Sequence, residues 1–284
     1  MKTFSIGTRD ERTTGVRCNL CGGERSRVHL SCQSFQYVRC SGCGLVYQNP
    51  QPVFEDLRGR YAEQYFDYEI ENEENFFGLM RLGLGDIGFF ERPLDSLPNR
   101  RFLDIGCATG MLLAFMRDLG WDVRGVEICK ASAEYGIRKR DLNIHIGTLE
   151  EAAFPDGFFG VIHFSHLIEH VPDPTGLLRE VHRILAPGGG TAVITTPNVD
   201  GFQARLFGRR WRSAIADHLT LFSKRTLGRM LEETGFRILR TVTWGGLAKG
   251  AAHPLIKRPV DRLAKRMGFG DVVLFEVTAV GSAA

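Results

Sequence analysis

Two short cysteine pairs constrain this chain more than any other feature. Cys18-x2-Cys21 is followed, after 18 residues, by Cys40-x2-Cys43, a spacing within the range of structural zinc sites. Each pair leads into a glycine, Gly22 and Gly44, which lets a tight knuckle turn bring backbone N–H groups toward the sulfurs. The intervening RVHLSCQSFQYVRC alternates enough to form a short hairpin. So small a segment cannot build its own core, and a metal would have to supply its folding energy. Four thiolates fill a tetrahedral ion and leave no position for substrate, so structural Zn²⁺ is expected. Cys32, Cys107 and Cys129 are left over and read as small buried side chains, and a total of seven does not suit a simple disulfide framework.

Beyond the cysteines, LVYQNPQP is a proline-punctuated linker. YAEQYFDYE and the acidic run to about Arg92 read as helices interrupted by glycine. From Arg101 the pattern alternates. RFLDIG, WDVRGVEI, NIHIG, GVIHFSH and GTAVITTPN read as strands, separated by helices such as GMLLAFMRDLG, KASAEYGIRKRD and GLLREVHRIL. Short connections between such elements predict a doubly wound, mainly parallel α/β sheet. The expected organisation is a four-cysteine module over 1–52, a helical segment over 53–98 covering a cofactor site, and the α/β domain over 99–284. With 284 residues, 43% of them hydrophobic, the chain can bury a sizeable core, and disorder is excluded. No apolar run approaches the roughly 20 residues that span a bilayer, and the polar start MKTFSIGTRDERTTGVRC has no signal-peptide core. A cytoplasmic protein is expected.

The turn RFLDIGCATG runs strand, glycine turn, helix, but Asp104-x-Gly106-x-x-x-Gly110 lacks the full G-x-G-x-x-G of a dinucleotide site. Asp104 at the strand end would repel a pyrophosphate and welcome an ammonium group. Glu127, 17 residues beyond Gly110, ends the second strand, where its two acceptor oxygens suit a ribose diol. A ligand with a ribose and a positive charge but no phosphate fits S-adenosylmethionine. LDIGCATG, VRGVE, LAPGGG and the strand into TTPN together resemble the class I S-adenosylmethionine-dependent methyltransferases over about residues 58–245. The resemblance implies a Rossmann-like methyltransferase sheet and roles for single residues. Gly106, Cys107 and the turn to Gly110 would hold the methionine part, with Asp104 assisting through water. Glu127 and Ile128 would serve the ribose, Thr148 and Leu149 would flank the adenine, and Ser165 would line the cofactor site. Thr148 stands where many relatives have Asp, and Gly160 where an Asp commonly opens the fourth strand. The four-cysteine start followed by YQNPQP and Tyr61, Tyr65 and Phe66 is similar to bacterial sugar and secondary-metabolite methyltransferases, in which the aromatic segment closes over the cofactor's methionine end. Simple aromatic packing at helical spacing is the alternative for those tyrosines.

Open α/β sheets bind substrate at the carboxyl ends of their strands, and the fourth strand here ends in HFSHLIEHVPDP. A helical turn starting at His166 would put His166, Glu169 and His170 on one face, with His218 of ADHLTLFSKRTL as a fourth group. Two mechanisms stay open. One histidine, with His170 and His218 foremost, is a general base toward an acceptor hydroxyl. Alternatively the set holds a second divalent metal that acidifies the hydroxyl, as in ubiquinone-type and small-RNA 2′-O-methyltransferases, which carry Glu-x-x-Glu-His and a distant His. Here His166 replaces the first Glu, and nitrogen ligands tilt preference from Mg²⁺ toward transition metals. His163, on the strand, reads as a satisfied core histidine.

Residues 61–92 carry eight acidic against two basic side chains, and 201–284 fifteen basic against six acidic. The second imbalance points to an anionic partner or to a solvated face. Arg205, Arg209, Arg210, Trp211 and Arg212 could clamp an acceptor's phosphate or carboxylate, and PLIKRPVDRLAKRMG reads as a basic amphipathic surface helix. The expected activity is O-methylation of a small sugar or secondary metabolite, anionic or not, without nucleic acid or membrane span. A ribosomal RNA base methyltransferase with a zinc module and a non-catalytic cofactor-binding scaffold are the alternatives.

Overall fold

The computed structural model describes residues 11–61, 63–93, 97–245 and 268–280. In chain order the first strands are β1 (Thr13–Thr14), β2 (Ser26–Ser31), β3 (Gln36–Cys40), β4 (Val46–Gln48) and β5 (Gln51–Pro52). Helices α1 (Phe54–Gly59) and α2 (Glu63–Asp86) follow. The α/β part comprises β6 (Arg101–Ile105), α3 (Met111–Asp118), β7 (Asp122–Glu127), α4 (Lys130–Arg140), β8 (Ile144–Ile146), β9 (Val161–Ser165), α5 (Pro174–Ile184) and β10 (Thr191–Pro197). It ends with α6 (Phe202–Phe207), β11 (Thr220–Leu221), α7 (Lys224–Glu233), β12 (Phe236–Trp244) and β13 (Val272–Ala279).

Seven strands form one sheet in the order β12-β13-β10-β9-β6-β7-β8. The five strands β6 to β10 run parallel, and β13 pairs antiparallel with both β10 and β12. The strand order reverses between β6 and β9, which opens a crevice at their carboxyl ends. The expected doubly wound, mainly parallel sheet is therefore present. Both faces are covered. Phe102 and Met116 pack with Leu84 of α2 and with Ile87 just after it on one side, and Leu103 and Ile105 pack with Leu178 and Val181 on the other. Local chemistry fixes the helix starts. Asp173 caps α5 by accepting from the Gly176 N–H at 2.9 Å, ahead of Pro174, and Ser223 and Thr226 exchange side-chain-to-backbone bonds at the start of α7.

The predicted hairpin is the antiparallel pair β2–β3, extended by β4. The fourth strand of that sheet is β11, which arrives from far along the chain and pairs antiparallel with β4. The cysteine module thus shares its sheet with the segment after β10. It also shares a core, because Cys18, Cys40, Cys43 and Leu45 pack in the same buried cluster as Leu103 and Phe164. The acidic stretch differs from expectation, being one continuous 24-residue helix rather than helices broken at glycines. Gly83 shows why: a Cβ there would lie 3.2 Å from both Leu274 and Trp244, so the glycine lets α2 lie close against the sheet. Among the described residues no helix is long and apolar enough to cross a membrane. The expected basic helix at 254–268 lies, apart from its last glycine, outside the described residues.

Candidate functional site

One cavity of about 340 Å³ lies at the carboxyl ends of the parallel strands. Its wall includes Tyr61, Tyr65, Gly106, Glu127, Ile128, Thr148 and Leu149 of the expected cofactor set, together with His166 and His170 of the expected catalytic set. Asp104, Cys107, Gly110 and Ser165 are not on that wall. Asp104 is buried and accepts from His163 Nδ1 at 2.7 Å, so His163 is the satisfied core histidine that its place on the strand suggested. Gly106 and Gly110 shape the turn. Both have positive φ, at 69° and 79°, and a Cβ on Gly110 would meet Leu142 Cδ1 at 2.3 Å.

Glu127 closes β7 beside this turn. Its carboxylate accepts from the Ala108 N–H at 2.9 Å and the Cys129 N–H at 2.7 Å, which fixes its orientation at the cavity. Burial pushes its pKa up, against these backbone bonds. Sequence reasoning missed a second acid here. Glu69 on α2 is buried, lines the same cavity and accepts from Ser132 Oγ. Burial, then the charge of Glu127, hold its pKa well above the ordinary glutamate value. One turn on, Glu73 accepts from Thr109 Oγ1 at 2.7 Å and Arg140 Nη2 at 2.9 Å, which ties α2 to the glycine turn. The signal was available as acids at i and i+4 on α2.

Around His170, one ligand atom each of Glu169, His170 and His218 lie within 4.8 Å of one another, although Glu169 and His218 themselves are buried behind the cavity wall. The expected helical turn is absent. His166 adopts a left-handed φ of 54° and the chain passes through a tight turn in which the His170 N–H bonds to the Leu167 carbonyl at 2.9 Å. His166 still reaches Glu169, Nδ1 to Oε1 at 3.2 Å, and Thr196 Oγ1 donates to Glu169 Oε2 at 2.8 Å. Glu169 is 1% exposed. Burial opposes its charge, but the bond from His166 and the neighbouring imidazoles outweigh it and bring its pKa down to about 2. Two imidazoles complete the group, their rings edge to face at 4.6 Å. His170 Nδ1 meets the Asp217 carbonyl at 2.9 Å and His218 Nδ1 the Ser213 carbonyl at 2.8 Å. A carbonyl can only accept, so both Nδ1 atoms carry the proton and both Nε2 lone pairs are left for other use. Burial, then His170, push His218 down to about 3.

The four cysteines of the N-terminal module come together as well, with all four Sγ atoms within 4.8 Å, Cys18 and Cys43 at 3.4 Å, and Cys21 and Cys40 at 3.5 Å. They form no disulfide. Arg205, Arg209, Arg210 and Arg212 are exposed and line no part of the cavity, while Trp211 is buried against Tyr37 and Leu221.

A family model described as a methyltransferase domain matches residues 84–241, more than half of the chain. Among curated proteins the chain is similar to the ubiquinone biosynthesis O-methyltransferase of Xanthomonas oryzae, 33% identical over 100 residues, which is 33% of this chain and 42% of that protein. The enzyme of the same description from Proteus mirabilis is 25% identical over 151 residues, 51% of this chain and 58% of its own length. The chain thus spans about half the length of these relatives. Among solved structures, an S-adenosylmethionine-dependent methyltransferase from Thermotoga maritima, described as a possible histamine N-methyltransferase, superposes with a TM-score of 0.55 at 23% identity, covering 75% of this chain and 98% of that one. Sheet order, glycine turn and family match agree, and the chain belongs to the class I S-adenosylmethionine-dependent methyltransferases.

Proposed function

We propose that this enzyme moves a methyl group from S-adenosylmethionine to a hydroxyl of a small acceptor, a sugar or another secondary metabolite, in the cytoplasm. The observation that carries the reading is a single cavity with the Glu127 carboxylate on one wall and the His170 imidazole on another. The ubiquinone O-methyltransferases it resembles support transfer to oxygen. Bound S-adenosylmethionine would supply an electrophilic methyl on a sulfonium. Glu127, held by two backbone N–H groups, would accept from the ribose diol. Tyr61 and Tyr65 would close over the cofactor, and Gly106 would let the backbone approach it.

The donor set of Glu169, His170 and His218 fits a divalent cation: one ionised buried carboxylate oxygen and two Nε2 lone pairs whose rings are fixed by carbonyls. Two nitrogens suit a transition cation better than Mg²⁺, and such a cation would lower the pKa of an acceptor hydroxyl. A second reading keeps His170 as general base, favoured by its place on the cavity wall with Nδ1–H anchored. His218, pushed down to about 3, is too weak a base for that role near neutral pH. The four-thiol cluster suits structural Zn²⁺, whose ligand positions it fills.

Calorimetric titration with S-adenosylhomocysteine, metal analysis before and after mild chelation, and an assay of S-adenosylhomocysteine release on a panel of sugars and phenols test these assignments together. Binding of S-adenosylhomocysteine, with one chelation-resistant zinc, is expected. A second, exchangeable metal favours the cation reading and its absence the base. Failure to bind S-adenosylhomocysteine would sink the proposal.

A further inference from the structure

The segment from Ser213 to Leu219 carries His218 and the carbonyl that orients His170, yet it is neither helix nor strand. Buried backbone of this kind must find partners outside itself. Apart from the His218 N–H, which bonds to the Ile215 carbonyl at 3.2 Å, its partners come mainly from the cysteine module and from Arg60 beyond it. Tyr37, on β3, has its hydroxyl 2.8 Å from both the Ile215 and the His218 carbonyls. Gln48, on β4, places its Nε2 2.8 Å from the Ala216 and His218 carbonyls, and its backbone N–H donates to Leu219 at 2.8 Å. Arg60, just after α1, donates to the Ala216 carbonyl at 3.0 Å and to Asp217 Oδ1 at 2.8 Å, and is held on its other side by Glu11.

The proton count closes. One hydroxyl hydrogen serves Ile215, which also accepts from the His218 N–H, and the two amide hydrogens of Gln48 serve His218 and Ala216, the latter shared with Arg60. The Asp217 carbonyl is left for His170. Tyr37 and Gln48 are 0% and 1% exposed, so water cannot replace them. The next residues tie the loop to both sides: Leu219 and Thr220 donate to the Glu169 carbonyl, and Thr220 pairs with Tyr47 of the module. Tyr37 stands three residues before Cys40 and Gln48 five after Cys43, so both project from the strands that the cysteine knuckle joins.

We propose that the four-cysteine module is a positioning element of the methyl-transfer centre, with Tyr37 and Gln48 holding the 215–218 carbonyls and through them His218 and the Asp217 carbonyl that sets the His170 tautomer. The inference rests on the reading of Glu169, His170 and His218 as that centre. Tyr37 and Gln48 line no part of the cavity that holds Glu127 and His170 and donate to no imidazole; they act through the loop.

Long-range ¹H–¹⁵N spectra of the zinc-loaded full chain, labelled at histidine, read the tautomers without an acceptor. The unaltered protein should show His170 and His218 each as a single Nδ1–H tautomer. In Gln48→Leu both should move to a mixture of tautomers or broaden by exchange. His163, bonded to Asp104 away from the loop, should keep its shifts, and affinity for S-adenosylhomocysteine should stay within about twofold, since no cofactor contact is lost. Tyr37→Phe, which removes one hydroxyl and keeps the ring, should show the same changes to a smaller degree. Unchanged tautomers in variants that retain zinc and a cooperative thermal transition overturn the inference. So does loss of zinc and folding in both variants, which would make these bonds merely structural. Failure of the unaltered protein to bind S-adenosylhomocysteine would overturn the methyltransferase assignment instead, leaving the tautomer result to stand by itself.

Discussion

The two ends of the cavity are built by different means. At the end proposed for the cofactor, Gly106, Ala108, Glu127 and Cys129 fall within 24 residues, and strand, turn and strand place the carboxylate through two backbone bonds. At the proposed transfer end, Glu169 and His170 follow β9, His218 comes from a loop after β10, and that loop is fixed by Tyr37, Gln48 and Arg60 from the first quarter of the chain. A site made from contiguous elements is fixed by the sheet itself. A site made from distant segments depends on whatever holds them, which in the proposal above is the cysteine module, with Arg60 beside it.

If the two ends are independent, their variants should cross. His170→Ala should reduce transfer to any hydroxyl acceptor that turns over by about 10²–10⁴-fold, while S-adenosylhomocysteine affinity measured by calorimetry changes by less than about threefold. Glu127→Ala should do the opposite to binding. Losing two charge-assisted bonds of about 1.5 kcal/mol or more each weakens S-adenosylhomocysteine by about 100-fold or more. Equal losses of cofactor affinity in both variants would break the comparison.

Next in size is the effect of the module's metal. Cys40→Ser should lose bound zinc, as read by elemental analysis. Its melting temperature should fall by roughly 10 °C, on the scale of about 2–4 °C per kcal/mol for domains of this size. The imidazoles should be disturbed more than the cofactor loop. A variant that loses zinc yet melts as the unaltered protein does would mean the thiols contribute little to the fold.

This contrast also explains what the sequence could disclose. The glycine turn, Glu127 and the sheet are legible because periodicity and short spacing encode them directly. The cysteine cluster is legible because its ligand spacing is a local property of two knuckles. His218 could be picked out as a residue type, but not the loop that carries it. Nothing in QYVRC or VYQ says that Tyr37 and Gln48 bond residues some 170 positions away. The turn at His166 is not legible, because i, i+3 spacing does not distinguish a helical turn from a chain reversed at one left-handed residue. On α2 the spacing of the acids names no partner, and only the packing of the helix over the glycine turn shows Glu69 and Glu73 pointing inward.

Glu73 gives a smaller, sharper test at the cofactor end. Glu73→Gln weakens the bonds to Thr109 and Arg140 that fasten α2 to the turn. At about 0.5–1.5 kcal/mol for such bonds, S-adenosylhomocysteine affinity should fall by roughly two- to tenfold, with the histidine tautomers untouched. A change in the imidazoles would show that α2 couples the two ends.

The smallest effect concerns Glu69 and appears only with pH. Burial and the nearby Glu127 raise its folded pKa well above the ordinary value of 4.5. The fold therefore favours the protonated carboxyl, and this contribution is complete below the unfolded value and is lost as pH rises through the folded one. Glu69→Gln keeps an uncharged group of the same shape against Ser132 and removes the cost of ionisation. Without cofactor, its melting temperature should match that of the unaltered protein near pH 4 and exceed it by a few degrees at pH 8, about 1 kcal/mol on the same scale. A variant less stable at pH 8 would mean that the cofactor end needs both carboxylates ionised even when empty, and that it is as dependent on charge at a distance as the transfer end is on the cysteine module.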